Sequence, residues 1–521
     1  MLKVNEFEHG YKSGYLSKSD IYGRLLHPRA NTHYLYDGTV DSLLNGDTIL
    51  KFVIDHFKVQ APRLDILRQY YLGENSSILS GERRVDGKKA DHRAPHDFSQ
   101  YIVEFMTGFA TGIPIRLTSK NEEATEVLTE VNDLNDVNHR NSKVFSDLSI
   151  YGRAYELVYR DPEGVRFTSV DPRNAFVIYD SSIERSPLAA IHYTTGYDVA
   201  SGKHVLKIEA YTEDEIISYQ KIDAEVLEPS GERKAKDTKM SIDDERSTTH
   251  EYPFIPLHEW ETDEYRKGDF ERVIPLIDLY DAAQSDTANY MTDLNDALLF
   301  IKGRLASGST DEETEAIYNE FFSGVADANI AFAQPEMIDG KESSFSMDYL
   351  YKKYDVSGSE AYKDRLANDI HKFSHVPDLN DSTFYTSTGE SMKWKLNGLR
   401  TKVSTRQRFF SSGLLHRYKI IFGFLNAVDG EGVEVADASA IEVGYSENVP
   451  ESRESALKLF INAGGKLSNH TLIEFLPFIK DADREMEKIE EEQLESAVNK
   501  NFNSLSDLVA REAISDVEEN V

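Results

Sequence analysis

The chain has 521 residues, no cysteine and a net charge of −33. The length predicts about three or four compact units, and the missing cysteine excludes disulfides and Cys-ligated zinc or iron–sulfur centres. No apolar run reaches the ~20 residues of a membrane helix, "MLKVNEFEHGYKSG" has no signal-peptide core, and the charge argues against a protein that wraps DNA by neutralising phosphates.

Two readings of that charge stay open: plain solubility, or a surface that repels DNA and lets it slide. Residues 1–45 are polar with scattered tyrosines and predict an arm with little core. In "GDTILKFVIDHFKVQAPRLDILRQYYLGE", Asp47 or Thr48 can cap a helix with Ile49, Phe52, Val53 and Phe57 on one face. Pro62 opens a second helix carrying Leu64, Ile66, Leu67, Tyr70 and Tyr71. "DFSQYIVEFMTGFATGIPI" is a helix with Phe98, Ile102, Val103 and Met106 inward, ended by Gly108, Gly112 and Pro114. From Tyr151 the period becomes two: "AYELVYRDPEGVRFTSV" predicts a hairpin, and "NAFVIYD", "AAIHYTTG", "HVLKIEAYT" and "EIISYQKI" extend the sheet. Residues 228–251 are charged and predict a mobile surface loop.

"VIPLIDLYDAAQSDTANYMTDLNDALLFIKG" is the clearest helix. At 100° per residue, Asp278, Asp281, Ser285, Asn289, Asp293 and Asp296 share a narrow polar face, with Leu276, Leu279, Tyr280, Ala283, Tyr290, Met291, Leu294 and Leu298 opposite. A small mixed unit follows: strand "LLFIKGRL", short helix "DEETEAIYNEFFSG" and strand "ANIAFAQPEM". The next helix starts on a Ser357–Glu360 capping box and ends at Pro377, with Tyr362, Leu366, Ile370 and Phe373 on one face. "PDLNDSTFYTSTGESMKWKL" then sets Phe384 and Tyr385 in a polar loop with nothing local to pack on. Ser387 and Glu390 form another capping box. It launches a helix striped by Met392, Leu396, Leu399, Val403, Phe410, Leu414, Tyr418, Ile421 and Leu425, with Gly398 and Gly413 as candidate kinks. This helix is basic, through Lys393, Lys395, Arg400, Lys402, Arg406, Arg408, Arg417 and Lys419. After strand-like "GVEVADASAIEVGYSENVP", the end is helical, with "NHTLIEFLPFI" capped by Ser468 and an acidic run beyond it.

No phosphate-cradling P-loop, nucleophile elbow or H-E-x-x-H motif is present; "GERRVDGKKA" has the wrong spacing and lacks the Ser or Thr. His371 and His375 share a spacing that can chelate zinc, but the accompanying Glu is missing. Asp91, His92, His96 and Asp97 cluster around Pro95, as a polar loop also would. Neither group identifies an enzyme, so no catalytic residue, metal or cofactor is expected.

The order of these elements resembles the portal proteins of tailed double-stranded DNA bacteriophages, of the type found in siphophages of Gram-positive hosts. "DFSQYIVEFMTGFATGIPI", "DLSIYGRAYELVYRDPEGVRFTSVDPRNAFVIYD", "IPLIDLYDAAQSD", "TSTGESMKWKL" and "YSENVPESRESALKLFINAGGKLSNHTLIEFLPFIKDADREMEKIEEE" carry the likeness, in the family's order, over roughly residues 50–490. The charged 228–251 stretch departs from it. The resemblance implies an α+β, mainly helical portal fold forming a ring of about twelve copies with a central channel. The arm would be 1–45, the wing 46–265, the stem helices 266–300 and 351–376, the clip 301–350 and the tunnel loop 377–389. Residues 390–448 would return to the wing, and 449–521 would form a helical crown. It implies double-stranded DNA in the channel without sequence preference, packaged by a terminase, retained and later ejected. Further partners would be capsid, scaffolding and head-completion or adaptor proteins, with no membrane. The place would be a capsid vertex of the virion, reached by assembly in the host cytoplasm.

On that resemblance Asn380, Asp381, Ser382, Thr383, Phe384, Tyr385, Thr386 and Ser387 ring the channel; the plain alternative is an exposed loop folded on its own domain. The stripe Asp278, Asp281, Asn289, Asp293 and Asp296 either lines the channel, repelling phosphates, or is a solvated outer face. Lys393, Lys395, Arg400, Lys402 and Arg406 would pair with acidic surfaces of the next copy or with acids of their own chain. A metal-dependent hydrolase using His92 and His96, or another virion-associated ring or adaptor, are the competing functions.

Overall fold

The computed structural model describes residues 18–80, 90–200, 202–222, 244–250, 254–293, 355–379, 395–428 and 441–446, with shorter stretches between 298 and 350, at 438 and 440, and between 461 and 493. The chain divides into a large unit, Met1–Glu447, and a C-terminal unit, Asn448–Val521. The large unit begins with α1 (Lys18–Leu25), β1 (Tyr34–Tyr36) and α2 (Val40–Leu43). This stretch, expected as an arm, is built into the fold. Ile21, Ala30 and Leu43 are fully buried, and β1 pairs in parallel with residues 178–180.

α3 (Gly46–Asp55) passes through a π turn (His56–Gln60) into α4 (Ala61–Tyr71). Its cap is Asn45, whose side chain accepts from the Asp47 N–H at 3.1 Å, rather than Asp47 or Thr48. α5 (Ser76–Leu79), α6 (Phe98–Thr111), β2 (Arg116–Thr118), α7 (Glu122–Asn135) and α8 (Val137–Tyr151) follow. Then come β3 (Arg153–Asp161), β4 (Gly164–Val170), β5 (Ala175–Asp180), β6 (Pro187–Asp198), β7 (Lys203–Tyr211), β8 (Glu215–Ile222), β9 (Asp244–Thr249) and β10 (Leu257–Glu261).

These strands make two sheets rather than one extended sheet: β1-β5-β6-β7-β8-β9, and β10-β3-β4. The strand period of two explains why both faces of the larger sheet are covered. Phe176 and Ile178 join Ile49, Leu50, Val53 and Phe57 on one side, whereas Ala175 and Val177 join Tyr155 and Leu257 on the other. Part of the stretch expected to be a mobile loop, residues 244–249, is instead the edge strand β9.

α9 (Ile274–Asp293) leads to β11 (Leu298–Lys302), β12 (Met337–Ile338), β13 (Lys341–Glu342) and β14 (Ser346–Leu350). β11 pairs antiparallel with β14, a strand the sequence pattern did not reveal; the strand expected at 328–337 lies outside the described residues except for Met337. Residues 311–316 are helical, inside the expected short helix. α10 (Val356–Ser374) is capped by Asp355, which accepts from the Gly358 N–H at 2.9 Å, in place of the Ser357–Glu360 box.

α11 (Asn397–Val428) is unbroken for 32 residues, roughly 48 Å, and neither glycine interrupts it. Gly413 serves a close approach: a Cβ there would run into the Trp260 ring. Leu396, Leu399, Val403, Phe410, Leu414, Tyr418, Ile421 and Leu425 are buried, as their spacing requires, while Met392 and the Ser387–Glu390 box lie outside the described residues. β15 (Glu442–Gly444) pairs with β2. In the C-terminal unit, α12 (Asn469–Glu474) starts where the Leu472 N–H reaches the Ser468 carbonyl at 3.0 Å.

Candidate functional site

The polar stripe of α9 faces protein. Asp278 accepts the hydroxyls of Tyr22 at 2.6 Å and Tyr70 at 2.7 Å, and that of Ser77. Asp281 takes Asn75 Nδ2 at 2.6 Å and His96 Nδ1 at 2.8 Å. Ser285 Oγ accepts from the Ala94 N–H at 3.0 Å, and Asn289 Oδ1 from the His92 N–H at 2.6 Å. The cause is the extended segment around Pro95: its backbone N–H groups have no strand beside them and need acceptors, which the helix supplies one turn apart. Both expectations for this stripe, solvated face and channel wall, require exposed carboxylates. Asp278, Asp281 and Asn289 are buried inside their own subunit and correct both. The Asp293 side chain and all of Asp296 lie outside the described residues. The helix is inverted: apolar Leu279 and Met291 are 41% and 50% exposed.

The same contacts dissolve the proposed histidine sites. His92 Nε2 lies 2.9 Å from Thr292 Oγ1 while His96 serves Asp281, and Asp91 holds Arg93 at 2.6 Å. His371 Nδ1 lies 3.1 Å from the Val376 carbonyl, and His375 leaves the helix in a left-handed conformation, φ 65°, so the two share no chelating face.

The polar loop has a described foot on its leading side. Asn380–Ser387 lie outside the described residues, but Tyr101 on α6 donates to the Pro377 carbonyl at 2.8 Å, and the Leu379 N–H approaches its hydroxyl at 3.4 Å. On α11, Lys402 Nζ donates to the Ser374 carbonyl at 2.9 Å, a cation at the C-terminal end of α10 where the helix dipole favours it. The same ammonium sits 2.7 Å from Asp269, and Arg406 sits 3.0 Å from that carboxylate. Ser149 Oγ also donates to Asp269 at 2.6 Å. Lys402 and Arg406 are therefore neutralised within their own chain, not by a neighbouring copy. Lys395 is exposed, Arg400 half-buried, and Lys393 lies outside the described residues. Deeper along α11, Arg417 is fully buried on Glu156. Sequence reasoning missed Tyr101, Ser149, Asp269 and Glu156 because no local pattern joins positions 100 to 300 residues apart.

Burial opposes the charge on Asp269, but Arg406 and Lys402 outweigh it and hold the carboxyl below the usual range. Burial lowers the Lys402 ammonium, with Arg406 adding to it; the guanidinium keeps the acid ionised however Lys402 titrates. A carboxylate depressed in the fold contributes stability above the unfolded value of ~4, and that stability fades as pH falls through the folded value. Asp269→Asn is expected to cost about 3 kcal/mol at pH 7. Thermal melts from pH 7 to pH 3 should show the gap to wild type closing in acid; a gap constant with pH refutes this.

Residues 50–498 match the family model described as "Phage portal protein, SPP1 Gp6-like". The chain belongs to the phage portal protein family. It is 23% identical over 458 residues to a portal protein of Bacillus phage SPP1, covering 85% of this chain and 86% of that one. It is 21% identical over 471 residues to a portal protein of Clostridium phage phiCD119, covering 86% and 97%. A solved structure, the neck of a native GTA particle computed with C12 symmetry, aligns at 12% identity over 88% of this chain and 99% of that one, with a TM-score of 0.39.

This portal protein also has a cavity of about 610 Å³ between β10, the β5–β6 turn and α11. On its wall, ligand atoms of His33, Glu259 and Glu261 lie within 4.8 Å of one another, a metal-like grouping among the described residues. The donors are already engaged. Glu259 accepts Tyr155 at 3.1 Å and Tyr179 at 3.0 Å and pairs with Arg266, while Glu261 holds His33 at 2.6 Å. Burial acts against the Glu259 charge, and Arg266 and Arg153 overcome it, so this portal protein places a guanidinium where an ion would sit. No helix among the described residues is long and apolar enough to cross a membrane.

Proposed function

We propose that about a dozen copies form a ring at one capsid vertex, through whose channel double-stranded DNA is packaged, retained and ejected. The observation that carries this reading is the family match across residues 50–498. The arrangement supports it: α9 and α10 pack together, with Lys363 Nζ 2.9 Å from Gln284 Oε1, and bracket the small β unit of residues 298–350. They take the stem positions, the β unit the clip, both sheets the wing, and residues 449–521 the crown. Asn380–Ser387, which we assign to contact with DNA in the channel, follow a segment held by Tyr101 and Lys402. The ring breaks no bonds. ATP hydrolysis belongs to the terminase that docks on it, and scaffolding, major capsid and head-completion proteins surround it. It assembles in the host cytoplasm and resides in the virion.

Native mass spectrometry with negative-stain imaging of the full chain tests this. A ring of roughly a dozen copies with a central hole is the expected result. Replacing 381–386 by Gly and Ser should leave that ring intact and sharply lower the DNA retained in assembled heads. A monomer or dimer at every salt and concentration, with scaffolding and capsid proteins added, overturns the reading.

A further inference from the structure

The cavity beside β10 has an unusual mouth. Ile183, fully exposed, precedes the lining residue Glu184, and Tyr265, 65% exposed, follows the lining residue Glu264. Leu35, also exposed, pairs in register with the lining residue Tyr179. Three large exposed apolar residues thus neighbour the lining in sequence or register, the kind of surface an interface presents before its partner arrives. The mouth is also acidic: Glu184 and Glu264 outnumber Arg185, Glu261 being already paired with His33.

The same chain carries a surface of opposite character. On α10, Tyr362, Arg365, Asp369, Lys372 and Phe373 fall within an arc of about 100°. All but the half-buried Asp369 are exposed, and the Lys372 ammonium lies over the Phe373 ring at 5.6 Å. The inward side of this helix is occupied by Leu366 and Ile370. Exposed aromatic groups with a net positive charge complement an acidic, partly apolar partner surface.

We propose that the Tyr362–Phe373 face of α10 of one copy docks at the Glu184–Glu264 mouth of the next. The contact joins two different surfaces of the same chain. Such a heterologous contact leaves each copy with one donor and one acceptor face and closes into a ring when the rotation permits. The proposal rests on the ring reading and adds to it which surfaces meet.

The chain has no cysteine, so introduced thiols report without background. Full-length Ile183→Cys and Phe373→Cys chains, mixed, assembled and treated with a short bis-maleimide, should give a dimer containing one chain of each type. Separately, Glu184→Lys with Glu264→Lys should raise the protein concentration needed for rings about tenfold, the scale of a few rim charges. Adding Arg365→Glu and Lys372→Glu to that chain should restore it. Wild-type rings with no mixed cross-link and no response to charge reversal overturn this contact while leaving the ring reading intact. Arg365→Glu with Lys372→Glu that leaves ring formation unchanged but lowers DNA retention in heads also overturns it, and assigns the α10 face to DNA instead. Wild-type chains that never form rings overturn the ring reading and this contact together.

Discussion

Arg417→Met is expected to cost about 3–5 kcal/mol. Arg417 and Glu156 are both 0% exposed at the side chain. The guanidinium meets the carboxylate through Nε at 2.7 Å and an NH2 group at 2.9 Å, and its remaining NH2 reaches Asn141 at 2.8 Å. Its flat faces lie over Phe167 at 4.3 Å and Trp260 at 4.9 Å. Removing it strands a buried negative charge; His258 lies 3.6 Å from it, but burial keeps that imidazole uncharged. Lysine should not rescue, because one ammonium cannot serve three oxygens in a plane or fill the space between two rings. Glu156→Leu combined with Arg417→Met should recover most of the loss, since a buried pair often contributes little over apolar packing. Urea unfolding of the four chains decides it; an Arg417→Met midpoint equal to wild type refutes the expectation.

Gly152→Val should be comparably severe, about 3–5 kcal/mol or a chain that does not fold. Gly152 ends α8 at φ 80°, a conformation other residues adopt only at a cost. A Cβ would also be driven into the Arg266 carbonyl, which is backbone and cannot swing aside. The contact is fixed from both sides: the Thr262 hydroxyl donates to the Gly152 carbonyl at 3.0 Å, and Arg63 and Asn31 donate to the Arg266 carbonyl. Gly108→Ala is the control: it lies inside α6 with open space at its Cβ position, and should be neutral or stabilising by up to ~1 kcal/mol. Soluble yield and thermal midpoint compare the two, and equal behaviour would show that the crossing at Gly152 is looser than described.

Apolar spacing was a good guide on some helices and not on others: on α10 Leu366 and Ile370 are buried, but Tyr362 and Phe373 of the same expected stripe are exposed. The stripes of α3 and α4, α6 and α11 are buried in the order their periods demand, because removing apolar surface from water depends on the pattern alone. The hairpin at Pro162 and the alternation of β5 were legible for the same reason. Caps were less so: Asn45 and Asp355 took roles that neighbouring Asp47 and Ser357 could equally have filled.

Polar residues were the failure, and α9 shows why. A row of Asp, Ser and Asn reads as a wet face because water is the default partner for such groups. Tyr22, Tyr70, Asn75, His96 and two backbone N–H groups of an unpaired segment replaced that water, and the helix turned its polar side inward. Likewise Lys402 and Arg406 were visible as cations, but Asp269, more than 130 positions away, decided that they are spent inside the chain. By itself the sequence determined most of the long helices and central strands, though not β9, β14 or the elements of the expected arm, and the family to which their order belongs. Only the tertiary structure decided which polar groups meet, because each pairing depends on a partner brought close by the packing of distant segments.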